Sequence, residues 1–460
     1  MKTTDLEKAD RDQAKLYNQS NALNIRYKRF FMTNKSTVLD KTLDKIRTYC
    51  KDNLPNIYAN TEYDAIITHL LQSSCYGIPC LKNHEKKLIL TYLGYSSSNP
   101  SSASEETSVY LKNKNIETLF PDSVPFPPPQ KTNFTFIDLF AGIGGFRQAM
   151  QDFNGKCLFS SEWDKYAKQT YFRNYGEVPY GDIRKIDAKS IPDHDVLCAG
   201  FPCQAFSIAG KRKGFEETRG TLFFEVARII KEKQPKAFFL ENVKGLKSHN
   251  KGQTLKEILK VLRGDKEDGY LNYYVPEPHI FNAKDFGVPQ HRERIFIVGF
   301  RKDILNDNFE YPKPLNIDVK LSDIMEEKEV SVKYYLSTTY LQTLKNHKAR
   351  HESKGNGFGY EILDLNGISN AIVCGGMGRE RNLLVDNKIS DYTPITHIKG
   401  EVSRENVRRM TPREWARLQG YSENFIIPVS DAQAFKQFGN SVAVPAIKEM
   451  ARKITERLKK

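Results

Sequence analysis

The spacing of apolar positions changes once along this chain, near residue 130. Over residues 1–95, apolar residues recur every three or four positions, as between Val38 and Ile46, and this period predicts helices. Residues 96–132 are rich in Ser and Pro, a composition typical of a linker. We therefore predict a helical amino-terminal extension over 1–95, followed by a linker over 96–132.

Beyond the linker, short apolar runs of strand length alternate with segments of helical period. The runs that predict buried strands include those that begin at Phe134, Cys157, Asp195 and Ala237. Strands that alternate with helices are the pattern of an open α/β sheet with helices packed on it. The sequence therefore predicts an α/β domain over 133–300.

The strict alternation is lost over residues 301–403, where Gly, Asn and turn signals are frequent. We predict a small, irregular domain for this part. Helical patterns return over 404–460, which we expect to rejoin the α/β domain. There the segment Thr411–Glu414 predicts a helix start, because Thr can cap a helix and Pro fits its first turn.

The first predicted strand of the α/β domain leads into a glycine-rich turn and then a helix. Gly142, Gly144 and Gly145 let the backbone of this turn approach a ligand closely. Glu162 ends the second strand about 20 residues later, where an acidic residue can hold ribose hydroxyls. These features fit a dinucleotide or S-adenosylmethionine. Gln148 stands near the position where a dinucleotide fingerprint has its third glycine, and this favours S-adenosylmethionine over a dinucleotide.

Two reactive side chains follow predicted strands at the sheet edge where ligands bind in open α/β sheets. Cys203 lies on a loop, because Gly200 and Pro202 break the preceding strand. A cysteine there can be a thiolate nucleophile, although a lone cysteine is more often a small buried apolar residue. Glu241 directly follows the next strand. A second polar residue at the same edge argues against chance and indicates an active site.

Positive charge is concentrated beyond the amino-terminal region. The formal net charge is +14, and residues 1–130 contribute only +3 of it, with 17 Lys and Arg against 14 Asp and Glu. Arg292 and Arg294 alternate along a predicted strand, so we expect both guanidinium groups on one face, where they suit a carboxylate, a phosphate or a base edge. Nucleic acid is the first candidate partner, although a Lys-rich proteome would also give a basic chain.

The sequence excludes several other classes of protein. No apolar run is long enough for a membrane span, and the first residues lack the apolar region of a signal peptide, so we expect no membrane partner and a cytoplasmic, nucleoid-associated protein. The 7 Cys residues are irregularly spaced, without the His or second Cys pair of a zinc site. We expect reduced thiols and no metal.

Six segments of the chain resemble motifs of the DNA cytosine-5 methyltransferase family of bacterial restriction-modification systems, and they follow one another in the order that the family shows. One such motif is a weak signal, but six in the family's order over residues 134–460 are very specific. The resemblance implies a Rossmann-like S-adenosylmethionine-dependent methyltransferase sheet, an irregular target-recognition domain at 301–403 and a helical extension at the amino terminus. The segments are Phe136–Gly145, Gly200–Gln204, Glu241–Val243, Gln290–Arg294, Arg409–Gly420 and Gly439–Val442.

The resemblance implies methylation of cytosine C5 within a specific double-stranded DNA sequence. Cys203 would add to cytosine C6, which makes C5 nucleophilic toward the sulfonium methyl of S-adenosylmethionine. Glu241, protonated at least transiently, would donate to N3. Arg292 and Arg294 would steady the base and the catalytic loop. A base inside a duplex must first be flipped out, at a cost of roughly a few kcal/mol.

Further contacts are carried over from the family position by position, although Leu222 and Ile183 could equally be plain core. We expect a monomer, with a cognate restriction endonuclease as a functional rather than a physical partner. The implied cofactor contacts are Phe140, Gly142, Gly144, Glu162, Trp163, Asp182, Ile183, Pro202, Leu222, Asn440 and Val442. The implied DNA contacts are Gln204, Ser207, Lys211, Arg212, Gln290, Arg409 and Arg413.

Three alternatives stay open. An RNA cytosine-5 methyltransferase shares this core, but its transfer-RNA branch carries a Cys-Phe-Thr segment that this chain lacks, and the long recognition region favours DNA. A catalytically silent DNA-binding regulator would not need Cys203, Glu241 and Arg292, although residues 1–95 could bind DNA independently. Their nearly balanced charge favours a helical collar. An NAD enzyme lacks residues for a hydride-transfer site.

Overall fold

The computed structural model describes residues 124–459, with gaps at 203–221, 266–269, 306, 316, 358, 376–377, 396–397 and 399. The predicted helical extension and most of the predicted linker lie outside the described residues. So do Cys203 and the four expected DNA contacts in its loop, namely Gln204, Ser207, Lys211 and Arg212. Their roles stay predictions.

Strands and helices alternate along the first half of the described chain. The strands are β1 (Phe134–Leu139), β2 (Gly155–Ser161), β3 (Val196–Gly200), β4 (Ala237–Val243), β5 (Tyr273–Tyr274), β6 (His279–Asn282), β7 (Gln290–His291), β8 (Glu293–Arg301), β9 (Ser369–Asn370), β10 (Leu383–Val385) and β11 (Val407–Arg409). The α-helices are α1 (Gly145–Gln151), α2 (Lys165–Tyr175), α3 (Leu222–Lys233), α4 (Gln253–Arg263), α5 (Thr338–Glu352), α6 (Pro412–Leu418), α7 (Asp431–Asn440) and α8 (Val444–Leu458).

Within the described residues, the main sheet has seven strands in the order β2-β1-β3-β4-β8-β5, and β6 also pairs with β8. The first four strands are parallel, whereas β8 runs antiparallel to β4. Residues of β1, β3 and β4 are buried almost throughout, as expected for strands covered on both faces. The strands that the apolar runs predict are present, with ends shifted by a few residues.

The turn after β1 depends on residues with left-handed backbone. Phe140, Gly142 and Gly144 have φ values of 56°, 55° and 86°, and they lead directly into α1. A Cβ atom at Gly144 would lie 2.3 Å from the Tyr175 ring, so no other residue fits without a shift. The glycine-rich sequence therefore forms the tight strand-to-helix turn that it predicts.

The carboxyl-terminal helices share one hydrophobic core with the sheet. This core includes Phe136 of β1, Phe239 of β4, Trp415 of α6, Phe438 of α7 and Ile447 of α8. The start of α6 has the expected cap: the Thr411 side chain accepts from the Glu414 amide, and Glu414 accepts from the Thr411 amide. Among the described residues, no helix is both long and apolar enough to cross a bilayer.

Residues 301–403 have less regular structure, and α5 is their longest element. Part of this region joins the main core through buried side chains such as Ile372 and Leu384. The rest is organised by two small apolar clusters. One contains Leu336, Leu341, Leu344, Leu383 and Val407, and the other contains Val330, Tyr335, Ile389 and Val402. The predicted domain bounds themselves stay predictions.

Candidate active site

Glu241 lies at the carboxyl end of β4, beside the end of β3, where it pairs in register with Gly200. A Cβ atom at Gly200 would lie 3.6 Å from the Glu241 Oε2 atom, so the two strand ends are in contact. The neighbouring Asn242 donates from its side-chain amide to the Phe201 carbonyl at 2.9 Å. Because Phe201 is two residues before Cys203, Glu241 lies beside the start of the loop that carries the predicted nucleophile.

Arg294 is the charged partner of Glu241. Its Nε atom lies 3.1 Å from the Glu241 Oε1 atom, and the two side chains are 16% and 10% exposed. Burial raises the pKa of Glu241, while the charges of Arg294 and Arg292 offset part of that effect. The carboxyl group is thus held in place by an arginine in an environment that favours its protonated form.

Arg292 is buried and bonds to backbone instead. Its guanidinium donates to the carbonyls of Ile372 at 2.9 Å, Gly439 at 3.2 Å and Ser441 at 2.5 Å. Burial and the nearby charge of Arg294 lower the pKa of Arg292 to about 9, so the group is still protonated at neutral pH.

The residues of several predicted motifs meet at one small pocket. Glu241, Arg292 and Arg294 line it together with Val442 and apolar residues such as Phe296. Both arginines line this pocket, although Arg292 lies between β7 and β8 and not within a strand. Residues as far apart in the chain as Glu241 and Val442 are thus neighbours in the fold.

The glycine turn and Glu162 form a second cluster at the same sheet edge. Glu162 accepts from the Gly142 amide at 2.9 Å through one carboxylate oxygen and from the Asp164 amide at 2.8 Å through the other. Burial raises the pKa of Glu162, and these two hydrogen bonds lower it in part. Beside it, the Trp163 side chain is 75% exposed, an unusual position for a large aromatic residue.

The other predicted cofactor residues of the sheet are found around this cluster. Asp182 forms an ion pair of 2.6 Å with Arg184, whose guanidinium also lies 6.0 Å from the centre of the Trp163 ring. Ile183 is buried, Leu222 is half-buried at the start of α3, and Pro202 is exposed at the end of β3. Their contacts with a cofactor stay predictions.

The carboxyl-terminal segment closes on the glycine turn. A Cβ atom at Gly145 would lie 2.6 Å from the Val442 side chain, which shows how tightly the two segments pack. Asn440, at the end of α7, is exposed, and its side-chain oxygen accepts from the Cys374 thiol at 2.8 Å. Asn440 and Val442 therefore lie on a segment that packs against the turn, and their contact with a cofactor stays a prediction.

The prediction that Gln290 contacts DNA needs correction. Its side chain is fully buried. The side-chain oxygen accepts from the Ile372 amide, and the side-chain nitrogen donates to the Leu418 carbonyl, so no surface of the side chain is left for DNA. Arg409 forms a 2.9 Å ion pair with Glu380. Arg413 donates to the Phe425 carbonyl at 2.7 Å. DNA contact by these two arginines, which are partly exposed, stays a prediction.

Three residues that organise the site lie within the quoted motifs, although their sequence context alone assigns them no role. Asn242 fixes the Phe201 carbonyl, and Gln419 bonds to the Phe438 carbonyl at 2.7 Å. Asp138 is fully buried in β1, and burial raises its pKa to about 8. Its position within an apolar strand was the available signal, because Asp is rarely fully buried.

No group of three or more His, Cys, Asp or Glu residues in the described part of the chain is arranged to hold a metal ion.

The sequence model of the family "C-5 cytosine-specific DNA methylase" matches residues 134–456. "Type II methyltransferase M.HpaII" of Haemophilus parainfluenzae is 66% identical over 333 residues, which are 72% of this chain and 92% of that protein. "Type II methyltransferase M.SsoII" of Shigella sonnei is 48% identical over 74% of this chain and 84% of its own.

Two solved structures are similar in fold. The methyltransferase EhMeth of Entamoeba histolytica has a TM-score of 0.54 at 21% identity, over 72% of this chain and 100% of its own. The Dnmt2 methyltransferase of S. pombe has a TM-score of 0.53 at 17% identity, over 71% of this chain and 100% of its own. These neighbours confirm the predicted Rossmann-like methyltransferase fold.

Proposed function

The chain belongs to the C-5 cytosine-specific DNA methylase family, and from this premise we propose which residues carry out its reaction. It is a DNA cytosine-5 methyltransferase that acts within a specific DNA sequence, of the type found in bacterial restriction-modification systems. This reaction requires a methyl donor. We propose that the donor is S-adenosylmethionine, which supplies the methyl group from its sulfonium.

The residues at the first sheet edge fit an adenosine. Glu162 is anchored by the Gly142 and Asp164 amides, which orients its carboxylate for two ribose hydroxyls. The exposed Trp163 ring offers a face for a planar base, and the glycine turn allows close approach of the backbone. Asn440 and Val442 complete the pocket from the carboxyl-terminal side.

Cys203 is the nucleophile in this proposal. Its sulfur forms a bond to cytosine C6, and the displaced electron pair makes C5 nucleophilic while charge develops toward N3. C5 would take the methyl group as the bond between sulfur and methyl breaks, which leaves the donor as the neutral thioether S-adenosylhomocysteine. A base would then remove the C5 proton, and the returning electron pair would expel the Cys203 thiolate. Asn242, next to Glu241, holds the Phe201 carbonyl two residues before Cys203, and this supports the choice of Cys203 as the nucleophile.

Glu241 supplies the proton or hydrogen bond at N3. Its burial favours the protonated form that can donate, and this is the single observation that best supports the proposal. Arg294, in contact with the carboxyl group, keeps it oriented toward the base.

The remaining parts of the proposal follow from the substrate. The target cytosine must leave a DNA duplex to reach Cys203, so base flipping precedes the chemistry. We propose that residues 301–403 read the DNA sequence and that basic residues such as Arg409 contact its backbone. Methylation would then protect the DNA of a bacterial cytoplasm from a cognate endonuclease, with the methyltransferase acting as a monomer.

The test is bisulfite sequencing of plasmid from a methylation-free host that expresses the chain, beside a Cys203→Ser variant. We expect one short motif to be protected with the native chain and none with the variant. Protection that persists in the variant would remove Cys203 from the mechanism. Absence of any protected cytosine would contradict DNA methylation in cells, and methyl transfer to RNA would then be assayed.

A further inference from the structure

Two buried side chains, Gln290 and Arg292, join segments that are far apart in the chain. Arg292 donates to the carbonyls of Ile372, Gly439 and Ser441. Gln290 accepts from the Ile372 amide at 3.1 Å. Both side chains are at most 2% exposed. We call this arrangement the Arg292 clamp, meaning Gln290, Arg292 and the backbone groups that they bind.

The clamp holds the segment Ser369–Cys374 of the irregular region against the end of α7. Ser369 and Asn370 form β9, which pairs with β7, so the entry to the segment is fixed by backbone bonds. A Cβ atom at Gly439 would lie 2.6 Å from the Cys374 amide nitrogen. The two segments are therefore in direct contact, and the Cys374 thiol donates to the side chain of Asn440.

A buried guanidinium that binds carbonyls is better suited to fixing positions than to adding stability. Each charge removed from water carries a desolvation penalty, and hydrogen bonds to neutral acceptors offset it only in part. In return, the planar fork of Arg292 fixes the relative positions of three carbonyls, which no apolar side chain could do.

We propose that Ser369–Cys374, although part of the predicted recognition region, is a structural part of the cofactor site. The Arg292 clamp sets the position of Gly439–Ser441, and Cys374 orients the Asn440 side chain. This inference rests on the proposed function, which places the cofactor beside Asn440. Arg292 is then a positioning residue, whereas Arg294 contacts Glu241.

The arrangement has a consequence for DNA binding. Any DNA that shifts Ser369–Cys374 also shifts Asn440, so it changes the affinity for the cofactor. By reciprocity, the cofactor must change the affinity for that DNA by the same factor. The recognition region and the cofactor pocket are therefore thermodynamically coupled through a few hydrogen bonds.

The first test measures binding of S-adenosylhomocysteine to the full chain by calorimetry, without DNA. We expect Arg292→Lys to raise Kd by about tenfold or more, because one ammonium cannot reach three carbonyls in the same geometry. The control variant Arg301→Lys should change Kd by less than about twofold, since Arg301 lies at the other end of β8 and pairs with the exposed Asp303. Equal Kd values for the native chain and Arg292→Lys would overturn the inference.

A second pair of variants decides the matter if Arg292→Lys fails to fold. Cys374 is exposed, so substitutions there leave the core intact. Cys374→Ala removes the donor to Asn440 and should raise Kd by roughly threefold to fivefold, while Cys374→Ser keeps a donor and should stay near the native value. Identical Kd values for both variants would contradict the role of Cys374. A native chain that binds no S-adenosylhomocysteine would instead contradict the proposed function.

Discussion

The carboxyl edge of the main sheet and the Arg292 clamp both bury ionisable groups, but they hold them in different ways. At the sheet edge the groups are carboxyl groups, and burial raises the pKa of Asp138, Glu162 and Glu241. In the clamp the group is a guanidinium that binds three carbonyls and stays charged at neutral pH. The first environment raises the pKa of the acids in it, and the second holds a fixed cation.

The two environments suit two different roles, proton donation and the positioning of other groups. A carboxyl group with a raised pKa keeps its proton to higher pH, and the proposed mechanism uses such a group as the donor to cytosine N3. A guanidinium gives up no proton in this range, so Arg292 can only position the groups that it binds. Two arginines two residues apart therefore serve the two regions separately, Arg294 at the carboxyl group of Glu241 and Arg292 at the backbone of another segment.

The largest effect is expected at the sheet edge, from Glu241→Gln. The variant cannot give a proton to N3, so kcat for methyl transfer to DNA should fall roughly 10²- to 10⁴-fold. The Kd for S-adenosylhomocysteine should stay within about twofold, because the clamp and Asn440 are untouched. The control is Glu293→Gln, which removes an outward carboxyl group that pairs with Lys244. A kcat close to native for Glu241→Gln would show that its acid role is wrong.

The second effect concerns Asp138, whose pKa of about 8 in the folded protein lies above its ordinary value near 4. The folded state therefore binds this proton more tightly than the unfolded state does. Stability from this group is fully present below about pH 4 and is lost as pH rises toward 8. Between pH 5 and pH 8 the loss should be on the order of 3 kcal/mol, at about 1.4 kcal/mol per pKa unit.

Asp138→Asn tests this reasoning, because the amide cannot ionise. The Tm of the native chain should fall from pH 5 to pH 8 by more than that of the variant, with both followed by thermal unfolding. The variant Asp152→Asn, at an exposed carboxyl group that pairs with Lys448, is the control and should keep the native pH dependence. Parallel pH profiles for all three proteins would show that Asp138 is not protonated in the fold.

Much of the sheet edge could be predicted because its signals are local. Apolar runs place β1, β3 and β4, the glycine turn follows β1, and Glu241 lies among the last residues of β4, directly after the apolar run that predicts it. The clamp could not be predicted in this way. Alternation along the chain predicts one face for Arg292 and Arg294, but the acceptors of Arg292 lie 80 to 149 residues further along the chain. Only the tertiary packing determines which backbone groups the Arg292 guanidinium binds.

The same reason explains the wrong prediction for Gln290. An amide in a basic segment is compatible with a DNA contact and with a buried hydrogen-bond network, and the segment alone does not distinguish them. The burial of the Gln290 side chain depends on Leu418 and Ile372, which lie in distant parts of the chain. A motif thus identifies residues that matter to a family without stating whether they touch the substrate or hold the structure.

The smallest expected effect lies where the two regions meet. Lys436 of α7, four residues before Asn440, forms a 2.7 Å ion pair with Asp164, whose amide in turn bonds to Glu162. Lys436→Met removes this link between the carboxyl-terminal segment and the sheet edge. Because the Lys436 side chain is about half exposed, the Kd for S-adenosylhomocysteine should rise by only about twofold to fivefold.

A matched control is available in the same fold. Lys448 of α8 forms an ion pair of 2.7 Å with Asp152, with comparable exposure of the lysine, but this pair touches neither Glu162 nor Asn440. Lys448→Met should therefore leave the Kd unchanged, while salt should diminish the difference between the two variants as it screens the Lys436 pair. An equal Kd for both variants at low salt would mean that the sheet edge and the end of α7 hold the cofactor independently, with the clamp as their remaining connection.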